Sequence, residues 1–259
     1  MTETSRPGFR AALSNRTIQM TIGALAFIAA TAAGAALGMQ STGSVAAGDK
    51  AAIEKIVRDY ILEHPEIIPE AVERLQAKRV ADSIGESRKA IETPYAGAWE
   101  GAANGDVTLV EFFDYACGYC RASLADLAKL VGEDKGLKVV YRELPILSDA
   151  SADAAKVSLL AAEKGQYMPF HRALYDSGKV TRETILGAAA KVGIDAKAAE
   201  AAMASSKYDA EIQSNIALAQ KLRATGTPTF VVGDQVLNGA VGYDALKQAV
   251  ATVRAKQRR

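Results

Sequence analysis

The chain's only two cysteines, Cys117 and Cys120, form a Cys-x-x-Cys that directly follows the apolar run Val107-Thr-Leu-Val-Glu-Phe-Phe-Asp114. A run of this kind reads as a buried strand, so the pair falls where a strand gives way to a helix. The first sulfur then lies at a helix N-terminus, where unpaired backbone N–H groups and the helix dipole favour the thiolate. The thiolate is the species that attacks disulfides. The same feature constrains the fold, because it asks for a sheet with a helix springing from the end of a buried strand.

Other uses of the pair fit less well. A structural zinc site wants four ligands, yet His64 and His171 are the only other soft candidates and are far apart in sequence. A purely structural disulfide closing so short a loop removes little chain entropy. Two sulfurs could hold Cu(I), and this remains open as an alternative or second role for Cys117 and Cys120. Thiol–disulfide chemistry is the leading reading; it calls for no cofactor and no resident metal.

The N-terminus carries Arg6, Arg10 and Arg16 ahead of an uncharged stretch from Thr17 to Gly48, apolar from Ile18 to Met39. Residues 1–48 read as an export signal, either cleaved near Val45-Ala46-Ala47 or retained as an anchor through residues 18–39. In both cases everything after residue 48 is exported, so the expected location is the periplasm. A single close cysteine pair is not the pattern of a disulfide-stapled secreted scaffold. A formal charge of +1 argues against nucleic acid as a partner, and the basic C-terminal residues suit the end of a helix.

Residues 49–92 form a charged helical block. Ile53, Ile56, Val57, Tyr60 and Ile61 fall on one helical stripe, His64-Pro65 breaks it, and Ile67, Ile68, Ala71, Val72 and Leu75 begin a second. Two such short helices need a partner surface: self-association into a homo-oligomer is the preferred expectation, packing on the following domain the alternative. His64 reads as a solvated turn residue. Residues 93–105 read as a flexible linker whose Trp99 docks on some surface. From residue 106 the pattern is strand, helix from Cys117 to about Val131, strand Leu137–Leu144, and an alanine-rich helical insert over about 150–223. Gly165, Gly178 and Gly193 divide this insert into three or four helices. A hairpin at Thr229–Val232 and Gln235–Leu237 follows, then a helix over Tyr243–Lys256. This is an α/β sandwich around a small mixed sheet. His171, beside Met168, reads as a packing residue with an exposed polar tip rather than as a copper ligand.

Three features together resemble the DsbA-like branch of the thioredoxin superfamily: Val110-Glu-Phe-Phe-Asp-Tyr-Ala-Cys-Gly-Tyr-Cys120, the helical insert, and Gly226-Thr-Pro-Thr-Phe230. The expected fold is therefore α/β, a thioredoxin fold with an inserted helical subdomain in residues 106–259. The block before it resembles the N-terminal oligomerisation segment of ScsC-type proteins, which are associated with copper tolerance. The resemblance implies that Cys117 is the nucleophile, Cys120 the resolving thiol, and Cys117–Cys120 the redox disulfide. It implies a cis Pro228 in a Thr227-Pro228 loop facing the sulfurs, where Thr227 can pair with an extended client. It also matches Glu111 to a buried acid that accepts the Cys120 proton; the alternative for Glu111 is a partly exposed edge carboxylate.

The dipeptide Gly118-Tyr119 replaces the Pro-His of the strongly oxidising family member. Without an imidazolium beside the sulfur, a less oxidising disulfide is expected. Gly-Tyr, with Thr before the cis-proline, is similar to dimeric isomerases of the DsbC type. The expectation is thus a protein disulfide isomerase or reductase, dimeric or trimeric, acting on client proteins with cysteines or disulfides and kept reduced by a membrane thiol reductase. A dithiol oxidase is the alternative.

Overall fold

The computed structural model describes residues 47–258. The expected export signal lies outside them, and among the described residues no helix is long and apolar enough to cross a membrane. The chain divides into two compact units, at Ile68/Pro69.

The described part of the first unit is helix α1, Ala47–Glu63, and the turn after it. Pairs of opposite charge one turn apart, Lys50 with Glu54 and Lys55 with Asp59, line its polar side. Its apolar stripe is largely bare: Ile53, Ile56, Val57 and Tyr60 are 50 to 66% exposed and Ile61 is half-buried. Pro65 ends the helix as its sequence demands. His64 is a solvated turn residue, its ring 4.7 Å from that of Tyr60 and its Nδ1 3.3 Å from Glu66 Oε1.

Helix α2, Ile67–Glu92, carries the chain into the second unit. Its first turns expose Ile68, Val72 and Leu75, but Ile84 and Ile91 are fully buried. Residues 69–92 are thus not a free-standing arm. Ile84 and Ile91 belong to a core with Val110, Phe112, Val140 and Leu144, and burying each contributes roughly 1.5–3 kcal/mol. The region read as a linker also differs from expectation, since Trp99–Gly101 is strand β1. Trp99 packs against that same core, with Lys138 Nζ 5.1 Å from its ring centre.

The remaining elements are β2 (Val107–Phe113), α3 (Gly118–Glu133), β3 (Leu137–Glu143), helices α4 (Asp149–Glu163), α5 (Tyr167–Asp176), α6 (Arg182–Lys191), α7 (Ala196–Ala204) and α8 (Asp209–Lys221), the hairpin β4 (Thr229–Val232) and β5 (Gln235–Asn238), and α9 (Tyr243–Gln257). They form one sheet of order β1-β3-β2-β4-β5. β2 and β3 are parallel, joined through α3, and the other neighbours are antiparallel. The insert holds five helices rather than three or four. Glycines with positive φ mark three of the breaks, at Gly165, Gly178 and Gly193, but the break between α7 and α8 falls at Ser205, which has no glycine to announce it.

Strand alternation sorts the central residues between two cores. Leu109 and Phe113 of β2, with Val139 and Tyr141 of β3, share the larger core with the two cysteines and the insert. Val110, Phe112 and Val140 face α2 and α8. Glu111 and Tyr141, paired across the two strands, stand on the cysteine face.

Candidate active site

β2 ends at Phe113, and the next residue fixes the turn that carries the sulfurs. The buried Asp114 carboxylate accepts hydrogen bonds from Ala116 N at 2.7 Å, Ile146 N at 2.8 Å and Leu147 N at 2.9 Å, tying the loop after β2 to the loop after β3. Its carbonyl accepts from the Cys117 N–H at 3.0 Å and from the Tyr175 hydroxyl at 3.0 Å. Helix α3 can then start with Cys117 as its N-cap, the Cys120 N–H donating to Cys117 Sγ at 3.3 Å. Sulfur here takes the capping role that Ser or Asp oxygens usually fill.

The two cysteines are free thiols, Cys117 5% and Cys120 1% exposed. The Cys117 thiol donates to the Thr227 carbonyl at 3.2 Å. The Thr227–Pro228 peptide bond is cis, in the loop expected to face the sulfurs. Asn238, absent from the sequence reading, steadies that loop by accepting from Thr229 Oγ1 at 3.1 Å and Thr225 N at 3.3 Å. The Thr227 hydroxyl is buried without a partner. Gly118 and Tyr119 lie on the surface beside the sulfurs, with the Tyr119 ring 72% exposed. Ile146 and Leu147, also exposed, extend from the loop that Asp114 tethers.

Glu111 is buried, not an exposed edge carboxylate, and its Oε1 has no hydrogen-bond partner. Burial pushes its proton affinity well above the ordinary carboxylate range, and the nearby Cys117 and Glu100 push it further in the same direction. Burial and then Glu111 raise the Cys120 thiol far above its usual value. Cys120 is thus a poor thiolate until a base takes its proton.

His171 departs from expectation in one respect: it packs, but with no exposed tip. Its ring is fully buried among Phe113, Tyr115, Tyr141, Tyr167 and Tyr175, at centroid distances of 4.8 to 5.5 Å. Its Nδ1 lies 3.1 Å from the Tyr115 hydroxyl, and burial pushes it down to about 3, leaving the ring neutral. Among the described residues, no three His, Cys, Asp or Glu side chains gather to hold a metal ion.

A Cys-x-x-Cys at the head of a helix, on the central strands of this five-stranded sheet and facing a cis-proline loop, defines a thioredoxin-fold protein, and the helices between β3 and β4 place it among those with a large insert. The chain belongs to the DSBA-like thioredoxin domain family, which it matches over residues 108–251. Residues 49–81 match the copper resistance protein ScsC N-terminal domain. Among solved structures, a thioredoxin-like oxidoreductase from Silicibacter pomeroyi is 41% identical, with a TM-score of 0.62 over 65% of this chain and 98% of that one. A variant of ScsC from Proteus mirabilis is 26% identical, with a TM-score of 0.66 over 83% of this chain and all of that one. A Na(+)/H(+) antiporter NhaA from Herminiimonas arsenicoxydans is 32% identical over 162 residues, 61% of this chain. The chain spans about a quarter of that antiporter's length.

Proposed function

We propose that the chain is an exported protein thiol–disulfide oxidoreductase working mainly as an isomerase or reductase, with residues 1–48 as its export signal. The observation that carries this is the contact between the Cys117 thiol and the Thr227 carbonyl beside cis Pro228. It sets the N-terminal sulfur of the helix against the backbone edge on which an extended client strand would pair.

In the proposed mechanism, the Cys117 thiolate attacks one sulfur of a client disulfide. A Cys117–client bond forms, the client S–S bond breaks, and the departing client sulfur leaves as a thiolate that takes a proton from solvent. A second client thiol can attack the mixed disulfide, which completes isomerisation with no net redox change. Otherwise Cys120 attacks Cys117 Sγ, forming the Cys117–Cys120 disulfide and releasing the client as a dithiol. Glu111 takes the Cys120 proton in this second exit, a role supported by its burial on the cysteine face of the sheet. A membrane thiol reductase then has to return two electrons to the pair.

Gly118-Tyr119 supports the isomerase reading because it puts no cation beside Cys117. The bare stripe of α1 supports an oligomer, as does the match to an ScsC N-terminal domain. The catalytic unit begins before residue 106, since β1, Ile84 and Ile91 are parts of its sheet and core. The test is refolding of a scrambled-disulfide client by the reduced protein and by Ile53→Asp/Val57→Asp, with solution mass recorded for both. The wild-type oligomer should rescue the client, and the variant should be a monomer with little rescue. If neither rescues and both rapidly oxidise a reduced client, the dithiol-oxidase reading replaces this one. The ScsC match also keeps Cu(I) binding at Cys117 and Cys120 as a second reading. Metal retained through desalting by the wild type, but not by Cys117→Ser, would establish it.

A further inference from the structure

Glu100 takes no part in the thiol–disulfide steps, yet it stands on the same face of the sheet as Glu111. On β1 it pairs with Val139 of β3, and therefore shares the cysteine face of the sheet with Tyr141 and Glu111. Glu111 on β2 and Tyr141 on β3 stand directly opposite one another, and Glu100 on β1, opposite Val139, lies diagonal to Tyr141 on the same face. The Tyr141 hydroxyl donates to Glu100 Oε1, and Arg172 of α5 donates from Nη2 to Glu100 Oε2 at 3.0 Å. Glu100 is only 12% exposed along its side chain, whereas Arg172 is 58% exposed. A carboxylate is thus held between a buried tyrosine and a surface cation, on the same face of the sheet as Glu111.

We propose that Glu100 is a positioning residue for Glu111, its negative charge, held by Tyr141 and tempered by Arg172, setting how firmly Glu111 keeps its proton. The inference rests on the assignment of Glu111 as acceptor of the Cys120 proton. The ionisable groups that bear on Glu111 are Cys117 at the head of α3, Cys120 within it, Tyr115 after β2, Tyr141 on β3, Tyr175 on α5 and Glu100 on β1. None is a cation. The charge of Glu100 therefore bears on Glu111 past the buried Tyr141 side chain, away from bulk water, where Coulombic effects are strong. Arg172, on the far side of Glu100, weakens that charge without contacting the acid. The arrangement lets the charge on an edge strand adjust a proton acceptor buried two strands away.

The test uses the full reduced protein and follows the Glu111 side-chain carboxyl by carbon-13 NMR across pH, with Glu111→Gln identifying its resonance. Glu100→Gln removes the charge and keeps one carbonyl oxygen to accept from Tyr141, at the cost of the Arg172 contact, and should lower the Glu111 midpoint by on the order of one pH unit, the reach of a unit charge at an effective dielectric constant of about 20. Arg172→Gln should move it the opposite way by a few tenths of a unit, roughly what an exposed cation is worth. In the double variant the Arg172 effect should largely vanish. A Glu111 midpoint unmoved by Glu100→Gln, or moved in the same direction by both single changes, overturns the proposal. Release of a trapped mixed disulfide by Cys120, measured across pH in the same variants, separates the two ideas. If the carboxyl midpoint shifts and the release profile does not, Glu100 controls Glu111 as proposed and the role of Glu111 as acceptor is what fails.

Discussion

The β2–β3 pair buries an acid on one face and a base on the other, and treats them in opposite ways. Glu111 stands on the cysteine face with an oxygen that has no partner and no cation beside it. One residue further along each strand, Phe112 pairs with Arg142, and the Arg142 guanidinium on the opposite face is saturated. It donates to the carbonyls of Ala90, Ile91 and Thr93 at the end of α2, to Glu211 Oε1 at 3.0 Å and to Asn215 Oδ1 at 2.8 Å. Buried polar groups normally find partners, and leaving one unpaired costs free energy. Arg142 obeys that rule and so serves architecture: it ties off the open carbonyls of a helix C-terminus and fixes α2 to the sheet. Glu111 breaks the rule, and a destabilised carboxylate next to two thiols is a group kept ready to bind a proton.

Arg142→Met should give the largest change in stability. It strips five acceptors of their donor and leaves Glu211 and Asn215 facing an apolar side chain, a situation that typically costs about 3–5 kcal/mol. Urea unfolding of the reduced protein should show that loss. The reactivity of Cys117 per folded molecule should be unchanged, because the network lies on the other face of the sheet. A loss below about 1 kcal/mol would mean that Ile84 and Ile91 alone dock α2, and the contrast between the faces would lose its architectural half.

Glu111→Gln should act in the reverse sense. In the fold, burial holds Glu111 protonated above its ordinary range, while in the unfolded chain it ionises near the ordinary glutamate value of 4.5. Below that pH both states carry the proton and the residue costs nothing by ionisation. As pH rises past it, the unfolded state gains, by about 1.4 kcal/mol per pH unit, until the folded group also ionises. The glutamine variant removes this drain. It should match wild type near pH 4 and be increasingly more stable toward neutral pH, as thermal melts of the reduced proteins across pH would show. The same variant should slow release of the client through Cys120 while leaving formation of the mixed disulfide intact. A variant less stable than wild type at pH 8 would show that Glu111 has a compensating partner and is no counterpart to Arg142.

How much of this contrast could be read from the sequence depended on where each signal resides. The strand before Cys117, the helix after it, the hairpin and the closing helix were legible because buried strands and turn glycines write themselves into local composition. Glu111 was legible through its place six residues before the first cysteine. Arg142 was not, because a lone arginine in Lys-Val-Val-Tyr-Arg-Glu gives no hint that its partners lie on α2 and α8. Nor could the sequence show that α2 packs into the second unit's core: Ile84 sits inside the polar run from Lys78 to Lys89 and Ile91 just after it, seven residues apart on one buried line. β1 was missed for a related reason. Three residues between glycines carry no periodicity, and Trp99–Gly101 becomes a strand only because β3 offers it an edge. His171 misled in the other direction, as a polar residue on a helix whose tip is covered by Phe113, Tyr115 and Tyr141 from β2, the loop after it and β3.

The smallest effect tests whether the chemistry of the cysteine face depends on its buried acid alone or also on the exposed dipeptide. Tyr119 is in the first turn of α3 with its ring in solvent, so Tyr119→His should leave the core and the stability nearly untouched. A protonated imidazole there would stabilise the Cys117 thiolate, and hence the reduced form, making the disulfide a stronger oxidant. The positive end of the helix dipole opposes a cation at the same place. The net shift should therefore be modest, on the order of 20 mV, equivalent to about 1 kcal/mol for this two-electron couple. Equilibration with glutathione at pH 6 and at pH 8 separates charge from shape: the upward shift should be present at pH 6 and fade at pH 8, where imidazole is mostly neutral. A shift equal at both pH values would assign the effect to loss of the tyrosine ring. No shift at either would leave the tuning of this pair to Glu111 and to Tyr141 and Glu100 on the same face of the sheet.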